Sequence, residues 1–390
     1  MYPSHVHGIG RYSVELVRHL VPLAAERGHE LVVFRRADLP EPLVVAREGD
    51  EGDEGGAVRE VPVPFAPMSV GTVTRLGALA RRERVDLFHS FFPLRPIGAA
   101  ARTVVTAHDL QALRVKGFHD GRGVALALAS RLFYRLAYRW SFGAADRILA
   151  GSAWTRDDVI AEYGLAPGRF RVVHEGLSDR FREDGDAAQD RRAIAAAGVD
   201  PERPYLLHVG NTRPQKNVEG LIDIVAELER AGSSGAQGPW RLVIAGVRDR
   251  FFPAIAERVH RLALTDRVQF VTEVSDEALR ALYRHAALYV TAALHEGFGF
   301  TPLEAMASGC PVAAVAAGAL PEMLGDAYLP LAVASPHPAA CAILGLLSDP
   351  PRRAALVERG RDRARRFRWE TTARETLDAY EELDARAPRS

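Results

Sequence analysis

The sequence predicts an α/β protein built from two doubly wound domains. Three observations support this prediction: the length of 390 residues, the alternation of short apolar runs with helical segments, and the glycine-containing junctions between them. A chain of this length ordinarily divides into two domains, and its 47% hydrophobic content is enough for two cores. Strands that alternate with helices form parallel sheets covered on both faces.

The overall composition argues against nucleic-acid binding and against a membrane span. The chain has 50 basic and 50 acidic residues, so no net charge attracts a polyanion. It contains no run of 18 apolar residues, and its first residues show no signal peptide. Cys310 and Cys341 stand in small or apolar surroundings. We read both as buried thiols and expect a cytoplasmic protein.

The first domain, expected over residues 1–180, opens on the segment G-I-G-R-Y at 8–12 and an amphipathic helix. In a doubly wound domain such a glycine loop follows the first strand, but no apolar strand precedes it here. Either the true start lies upstream or the domain lacks its first strand. Gly8, Gly10 and Arg11 can approach a diphosphate or an acceptor; the alternative is a plain turn.

Two further strands of this domain end in polar side chains. His108 and Asp109 lie at the carboxyl end of the strand at 101–110. Doubly wound domains bind ligands at this edge of the sheet. A histidine beside an acid can carry a proton or bind a sugar hydroxyl. The alternative is a histidine that only hydrogen-bonds within the fold. Ser90 ends the strand at 85–89, where it contacts an acceptor or simply terminates the strand.

A basic amphipathic helix is predicted within residues 111–145. Arginines at 131, 135 and 139 alternate there with leucine and aromatic residues. Such a helix can lie on an anionic membrane surface. The alternative, which we favour from the sequence, is a helix packed on the sheet with its arginines in solvent.

The second domain is expected over residues 204–365, after a polar linker at 181–203. Its first strand, 205–210, leads into G-N-T-R-P-Q-K-N and a helix at 218–230. The only lysines of the chain are at 116 and 216, and the only asparagines at 211 and 217. Three of these four rare residues therefore fall in one short loop. Lys216 and Arg213, at a strand-to-helix junction, are predicted to hold a diphosphate.

The segment H-E-G-F-G-F-T-P-L-E, 295–304, is a second strand-to-helix junction. Thr301 is the expected N-cap, Pro302 the first helical residue, and Glu304 the partner in a capping box. The bare N–H groups and the helix dipole favour an anion at this point.

Glycines and acids give this junction its predicted chemistry. Gly297 and Gly299 allow a ligand to approach the backbone. Glu296 and Glu304 bracket the loop, so that one can bind a sugar or ribose hydroxyl while the N–H groups hold a diphosphate. The alternatives are that Glu304 only caps the helix and that the glycines only form a tight turn.

The spacing of these acids resembles that of a known family. Glu296 to Gly299, Glu304 to Ala307, Gly309, Pro311 and Val312 match the signature E-G-F-G-x-x-x-x-E-A-M-A-x-G-x-P-V. This signature is typical of the retaining glycosyltransferases of family 4. The resemblance implies the GT-B fold, in which two Rossmann-like domains face each other across a cleft. It also implies a C-terminal helix, within 366–390, that crosses back to the first domain.

The resemblance further implies transfer of a hexose from a nucleoside diphosphate sugar, without metal or cofactor, to a glycan, lipid-linked or small-molecule acceptor. His108, Lys216, Arg213 and Glu296 take the catalytic roles in this interpretation. Lys216, Arg213 and the loop N–H groups would stabilise the leaving diphosphate, Glu296 would hold sugar hydroxyls, Glu304 the ribose, and His108 would lie beside the reacting sugar. The remaining residues expected to bind substrate are Gly8, Gly10, Arg11, Ser90, Asp109, Gly210, Asn211, Gly297, Phe298, Gly299, Phe300 and Thr301.

Several points stay open at the level of sequence. G-N-T-R-P-Q-K-N looks like mannosyltransferase members of the family, which favours GDP-mannose as donor. Asn211 stands where the family has a basic residue, and A-A-V-A-A at 313–317 replaces a polar element. The alternatives to a transferase are a nucleotide-sugar epimerase of the same fold and an inactive sugar-nucleotide-binding partner. Peripheral contact with the inner membrane face is a further expectation.

Overall fold

A computed structural model describes residues 8–37, 58–66, 69–99, 102–118, 123–232, 240–332 and 335–384. The chain forms two compact units. The first comprises Met1–Leu110, Leu128–Gly176 and Phe367–Ser390, and the second comprises Gln111–Ala127 and Leu177–Arg366. The C-terminal segment therefore returns to the first unit. Residues 1–7, which bear on the predicted absence of a first strand, lie outside the described residues.

Up to residue 172 the helices and strands are, in chain order, α1 (Gly8–Glu26), β1 (Leu31–Arg36), β2 (Val58–Val63), α2 (Val70–Thr74), α3 (Leu76–Arg82), β3 (Leu87–Ser90), β4 (Arg102–Ala107), α4 (Gln111–Arg114), α5 (Val124–Ala144), β5 (Arg147–Ala150), α6 (Ala153–Tyr163) and β6 (Phe170–Val172). The remaining elements are α7 (Ala187–Ala196), β7 (Tyr205–Val209), α8 (Val218–Gly232), β8 (Arg241–Ala245), α9 (Phe252–Arg261), β9 (Val268–Val271), α10 (Asp276–His285), β10 (Leu288–Thr291), α11 (Phe300–Ala307), β11 (Val312–Val315), α12 (Leu320–Leu324), β12 (Leu329–Leu331), α13 (Pro336–Leu347), α14 (Pro350–Ala364) and α15 (Trp369–Asp384).

The sheet of the first unit is in two parallel pieces among the described residues. One piece pairs β1 with β2, and the other has the order β3-β4-β5-β6. The C-terminal helix α15 packs on the second piece. Its residues Ala379 and Leu383 share a buried cluster with Val104, Leu149 and Val173 from the sheet. This packing holds the returning segment against the first unit.

The sheet of the second unit has the order β12-β11-β10-β7-β8-β9, with every pair parallel. The strand order reverses between β7 and β10, which are hydrogen-bonded neighbours with Leu207 opposite Tyr289. Both strands are apolar and almost wholly buried, as expected for parallel strands covered on both faces. In such a sheet the ligand crevice lies at the carboxyl ends of the strands where the order reverses.

The expected linker at 181–203 is instead part of the second unit. Asp186 is the N-cap of α7, and its side chain accepts a hydrogen bond from the N–H of Gln189. Inside α7, buried Asp190 accepts from the guanidinium of Arg284 and lies 3.1 Å from Nε2 of His285 on α10. Arg284 lowers the pKa of Asp190 from its usual value. This buried ion pair fixes the segment to the second unit, which the polar composition alone did not indicate.

Two general expectations are checked by the described residues. None of the helices in the described part of the chain is long and apolar enough to cross a membrane. Both cysteines are free thiols, and Cys310 is buried as predicted. The prediction that Cys341 is also buried is wrong, because it lies on an exposed side of α13.

Candidate active site

The loop after β7 is held by a close approach between two backbones. A Cβ added to Gly246, which follows β8, would lie 1.8 Å from the carbonyl oxygen of Gly210, which follows β7. Only glycine at 246 leaves room for this contact. The two strand ends therefore fix the start of the G-N-T-R-P-Q-K-N loop.

Asn217 fixes the other end of the same loop. It closes a short 3-10 turn, Pro214–Lys216, with a positive φ of 48°, a conformation that asparagine tolerates better than most residues. Its Oδ1 accepts from the N–H of Gly220 at 3.3 Å, and its Nδ2 donates to the carbonyl of Ala292 at 3.2 Å. The side chain thus ties the start of α8 to the end of β10.

Lys216 and Glu296 form an ion pair between the two predicted loops. The Nζ of Lys216 lies 2.5 Å from Oε1 of Glu296, with side chains only 17% and 16% exposed. The predicted Arg213 is exposed and its side chain does not take part in this pair. Asn211 has a local role, since its Oδ1 accepts from the N–H of Arg213. Lys216, rather than Arg213, is therefore the basic side chain of this loop that pairs with Glu296.

The helix after the second loop begins earlier than predicted. It starts at Phe300, and Gly299 is its N-cap with a positive φ of 97°. Thr301 is therefore not the N-cap, because the glycine turns the chain two residues sooner. The hydroxyl of Thr301 accepts from Tyr289 at 2.8 Å instead. The loop N–H groups from Gly297 to Phe300 still precede the first turn of a helix, as an anion site requires.

Glu304 is a buried acid and not the partner in a capping box. It is 2% exposed, and its Oε2 accepts from the hydroxyl of Tyr283 at 3.1 Å. A carboxylate held in this way, within the first turns of α11, interacts favourably with the helix dipole.

The segment after β11 contacts the backbone of Glu296 and helps to fix its position. The N–H of Ala319 donates to the carbonyl of Glu296 at 2.9 Å. Gly318 has a positive φ of 60°, and a Cβ there would overlap the same carbonyl. The apolar replacement at 313–317 forms β11 and leaves this support in place.

The two loops meet where the strand order of the second sheet reverses. Gly210 follows β7 and the 292–299 segment follows β10, so both lie at the carboxyl ends of neighbouring strands. His208 on β7 lies beside Lys216. Burial first, and the charge of Lys216 in addition, lower the pKa of His208 to about 4, against the opposing effect of its bond to the Val290 carbonyl. His208 is therefore neutral near pH 7, and Lys216 supplies the positive charge.

In the first unit, His108 is committed to partners within the fold. Its Nδ1 lies 3.3 Å from Oε1 of Glu175, and its Nε2 lies 2.9 Å from the carbonyl oxygen of Phe91. Burial alone would lower the pKa of His108, but the hydrogen bond and charge of Glu175, together with the Phe91 carbonyl and the charge of Asp109, raise it above its ordinary value. When protonated, the ring donates to both Glu175 and Phe91. Proton transfer with a substrate would require one of these bonds to open.

Of the other residues predicted in the first unit, the two glycines and Arg11 are placed differently from expectation. Gly8, Gly10 and Arg11 lie in helix α1 and not in a loop. Ser90 is buried, and its hydroxyl donates to the carbonyls of Phe92 at 2.8 Å and Leu94 at 3.0 Å. These bonds shape the bend after β3. They agree with the alternative that Ser90 terminates the strand and does not contact an acceptor. Asp109 follows His108 and is partly exposed.

Sequence reasoning did not single out Glu175, although a signal for it was available. It follows β6 in the segment V-V-H-E-G-L, just as His108 follows β4, and both strands run parallel in one sheet. It is only 3% exposed. Tyr12, whose ring centroid lies 4.9 Å from that of His108 in an edge-to-face arrangement, was likewise not predicted. Among the described residues, no three histidine, cysteine or acidic side chains gather as metal ligands.

Comparisons with known proteins agree on one family. Residues 6–180 match the model of Glycosyltransferase Family 4, and residues 189–363 match that of Glycosyl transferases group 1. D-inositol 3-phosphate glycosyltransferase 2 of Catenulispora acidiphila is 31% identical over 96% of this chain and 89% of its own length. O-antigen chain mannosyltransferase B of Escherichia coli is 26% identical over 96% of both chains. The crystal structure of Anabaena HepE in complex with UDP and glucose superimposes with a TM-score of 0.68 at 16% identity, over 96% of both chains.

The order of the parallel sheet reverses between β7 and β10, and the two loops meet there. A relative is 31% identical along nearly the whole chain. These findings lead to one conclusion. The chain belongs to the group 1 glycosyltransferases of family 4, enzymes of the GT-B fold.

Proposed function

We propose that the enzyme transfers a hexose, with retention at the anomeric carbon, from a nucleoside diphosphate sugar bound by the second unit. The observation that supports this proposal is the Lys216–Glu296 pair at the start of α11. A cation, a carboxylate and a helix N-terminus at the carboxyl ends of neighbouring strands suit a ligand that joins a diphosphate to a sugar.

In this proposal each loop has a distinct role. Departure of the diphosphate builds up negative charge, which Lys216 and the N–H groups of residues 297–300 stabilise. Glu296 binds sugar hydroxyls once the donor displaces it from Lys216, and Glu304 addresses the ribose. These groups supply the charge stabilisation, so the proposal involves no metal or cofactor. A nucleophile for a covalent intermediate is not evident from the sequence, so we favour attack from the face that the diphosphate leaves.

The identity of the donor is a finer proposal. The 210–217 loop favours GDP-mannose, and O-antigen chain mannosyltransferase B is among the relatives. HepE, a structural neighbour, was solved with UDP and glucose. The acceptor is a glycan, a lipid-linked sugar or a small molecule. We also propose a cytoplasmic location, because the exposed free thiol of Cys341 suits a reducing compartment.

The central test compares Lys216→Ala with Lys116→Ala, since the chain has no other lysines. Thermal melts with GDP, UDP, ADP or dTDP should show stabilisation of the wild type by one nucleotide, about 2.7 kcal/mol at a hundredfold excess over the dissociation constant. Lys216→Ala should lose this shift and about 10²-fold in turnover, as when one donor to a developing anion is removed. Lys116→Ala should behave like the wild type.

Three results would refute the proposal. Wild-type turnover in Lys216→Ala would remove Lys216 from the site. Product analysis decides the reaction type: an altered sugar nucleotide formed without any acceptor would identify an epimerase, and nucleotide binding without turnover on any acceptor would identify an inactive partner protein.

A further inference from the structure

Helix α5 exposes an unusual amount of apolar surface. Seven of its large hydrophobic side chains are exposed, among them Leu128 at 64%. The other exposed large hydrophobics of the described residues, Val70, Ile97, Val247 and Leu294, belong to four separate segments. The exposed set on α5 is Val124, Leu126, Leu128, Leu132, Phe133, Leu136 and Trp140.

Four of these seven side chains form a row along one side of α5. Leu128, Leu132, Leu136 and Trp140 are spaced four residues apart, which places them in one row along the helix. The buried residues of α5, such as Tyr138, lie on the opposite side. The sequence pattern suggested that the apolar face packs inward. In the structure a second apolar face, the α5 strip of these four residues, points to solvent.

A row of positive charge runs beside the α5 strip. Arg131, Arg135 and Arg139 are also spaced four apart and lie one ridge away from the leucines. All three are exposed, and Arg135, 67% exposed, lies 3.6 Å from Glu162 on α6. The 21 residues of α5 contain no acid. The helix thus presents apolar and cationic rows side by side.

We propose that α5 docks on an anionic lipid surface, with the α5 strip inserted at the headgroup boundary and the arginines bound to lipid phosphates. Arginine side chains can bury their stems against apolar groups while the guanidinium reaches phosphate. Tryptophan, here Trp140, favours the same interface. Helices with this combination lie in the plane of a membrane surface.

The charge pattern favours lipid over a second copy of the chain. In a two-fold dimer through α5 the same face would meet itself, and each row of arginines would find no acid on the opposing helix. Lipid phosphates supply negative charge to these exposed arginines, beside the carboxylate of Glu162 that already lies near Arg135. Docking therefore depends on anionic lipid as well as on the apolar strip.

The test measures binding of the full-length protein to sedimented vesicles. Vesicles of equal parts phosphatidylglycerol and phosphatidylcholine should bind the wild type, and vesicles of phosphatidylcholine alone should bind it far more weakly. Arg135→Gln/Arg139→Gln should weaken binding to the anionic vesicles about 25-fold, at about fivefold for each arginine. Leu132→Gln/Leu136→Gln should weaken it by about tenfold or more for each leucine.

Matched controls separate docking from folding. Val70→Gln/Ile97→Gln removes two exposed apolar side chains of the first unit that lie outside α5, and it should bind vesicles like the wild type. All variants should keep the thermal shift with nucleotide, because this shift reports on the second unit and the substituted residues belong to the first. The result on vesicles is therefore distinguishable from the result on donor binding.

Three outcomes would overturn the proposal. They are a wild type that sediments with neither vesicle, α5 variants that sediment like the wild type, and a dimer in buffer that Leu132→Gln/Leu136→Gln abolishes. The last outcome would assign the α5 strip to a second copy of the chain.

Discussion

Gly246→Ala tests whether the close approach of two strand ends positions the proposed diphosphate loop. The new Cβ would lie 1.8 Å from the carbonyl oxygen of Gly210, whereas Cβ atoms essentially never come within 3.0 Å of a neighbour. Gly246 has no positive φ, so the alanine is strained only by this contact. The Gly210 loop must then move by more than an ångström, and with it the residues that lead to Lys216.

The structure sets the size of the expected effect. A displacement of about 1 Å in a positioning group costs about 10²-fold in rate. Overpacking of this kind costs about 1–3 kcal/mol of stability, which a two-unit chain of this size tolerates. We therefore expect a folded protein whose nucleotide affinity and turnover both fall, the turnover by about 10²-fold.

The assay combines calorimetric titration of the preferred nucleoside diphosphate with steady-state turnover and a thermal melt. Gly345→Ala is the matched control, because a Cβ on that α13 glycine meets nothing within 4 Å. It should leave affinity and turnover unchanged and raise stability by about 0.5–1 kcal/mol. Wild-type affinity and turnover in a folded Gly246→Ala would refute the role given to the Gly210 loop.

Two further predictions concern the charged pairs. The raised pKa of His108 stabilises the fold fully below its ordinary value of 6.5, and this stabilisation is lost as pH rises through the raised value. Urea unfolding should therefore show Glu175→Gln less stable than the wild type, by a difference that shrinks as pH rises above 6.5; a growing difference would contradict this account. Glu296→Gln frees Lys216 from its partner, so calorimetry should show nucleoside diphosphate binding about fivefold tighter, for an ion pair of about 1 kcal/mol. Turnover with the sugar donor should fall at the same time, and weaker diphosphate binding would count against the exchange of partners.

The second unit was largely predictable because local signals and global topology agree there. Each strand is a short apolar run, and each functional loop combines glycine with rare or charged residues. The parallel order then brings the loops after β7 and β10 together without further information. The pairing of Lys216 with Glu296 follows from that neighbourhood.

The start of α11 shows where sequence reasoning reaches its limit. Thr301 and Glu304 satisfy the spacing of a capping box, yet the helix begins at Phe300 because Gly299 adopts a positive φ. The hydroxyl of Tyr289 on β10 donates to Thr301, and the hydroxyl of Tyr283 on α10 donates to Glu304. Partners so distant in the chain leave no trace in local spacing, and the same is true of Glu175 beside His108.

The 210–217 loop shows why unusual composition can carry structural information without any alignment. Each of its three rare residues makes a specific contact. Asn217 needs a left-handed backbone together with an amide that both donates and accepts. Lys216 fits its ammonium against one carboxylate oxygen in a site with little exposure, where a planar guanidinium would need a wider space. Asn211 accepts from the N–H two residues on, which arginine cannot do. Residues that persist against the composition of their own chain therefore mark positions where geometry restricts the choice, and here those positions surround the proposed diphosphate site.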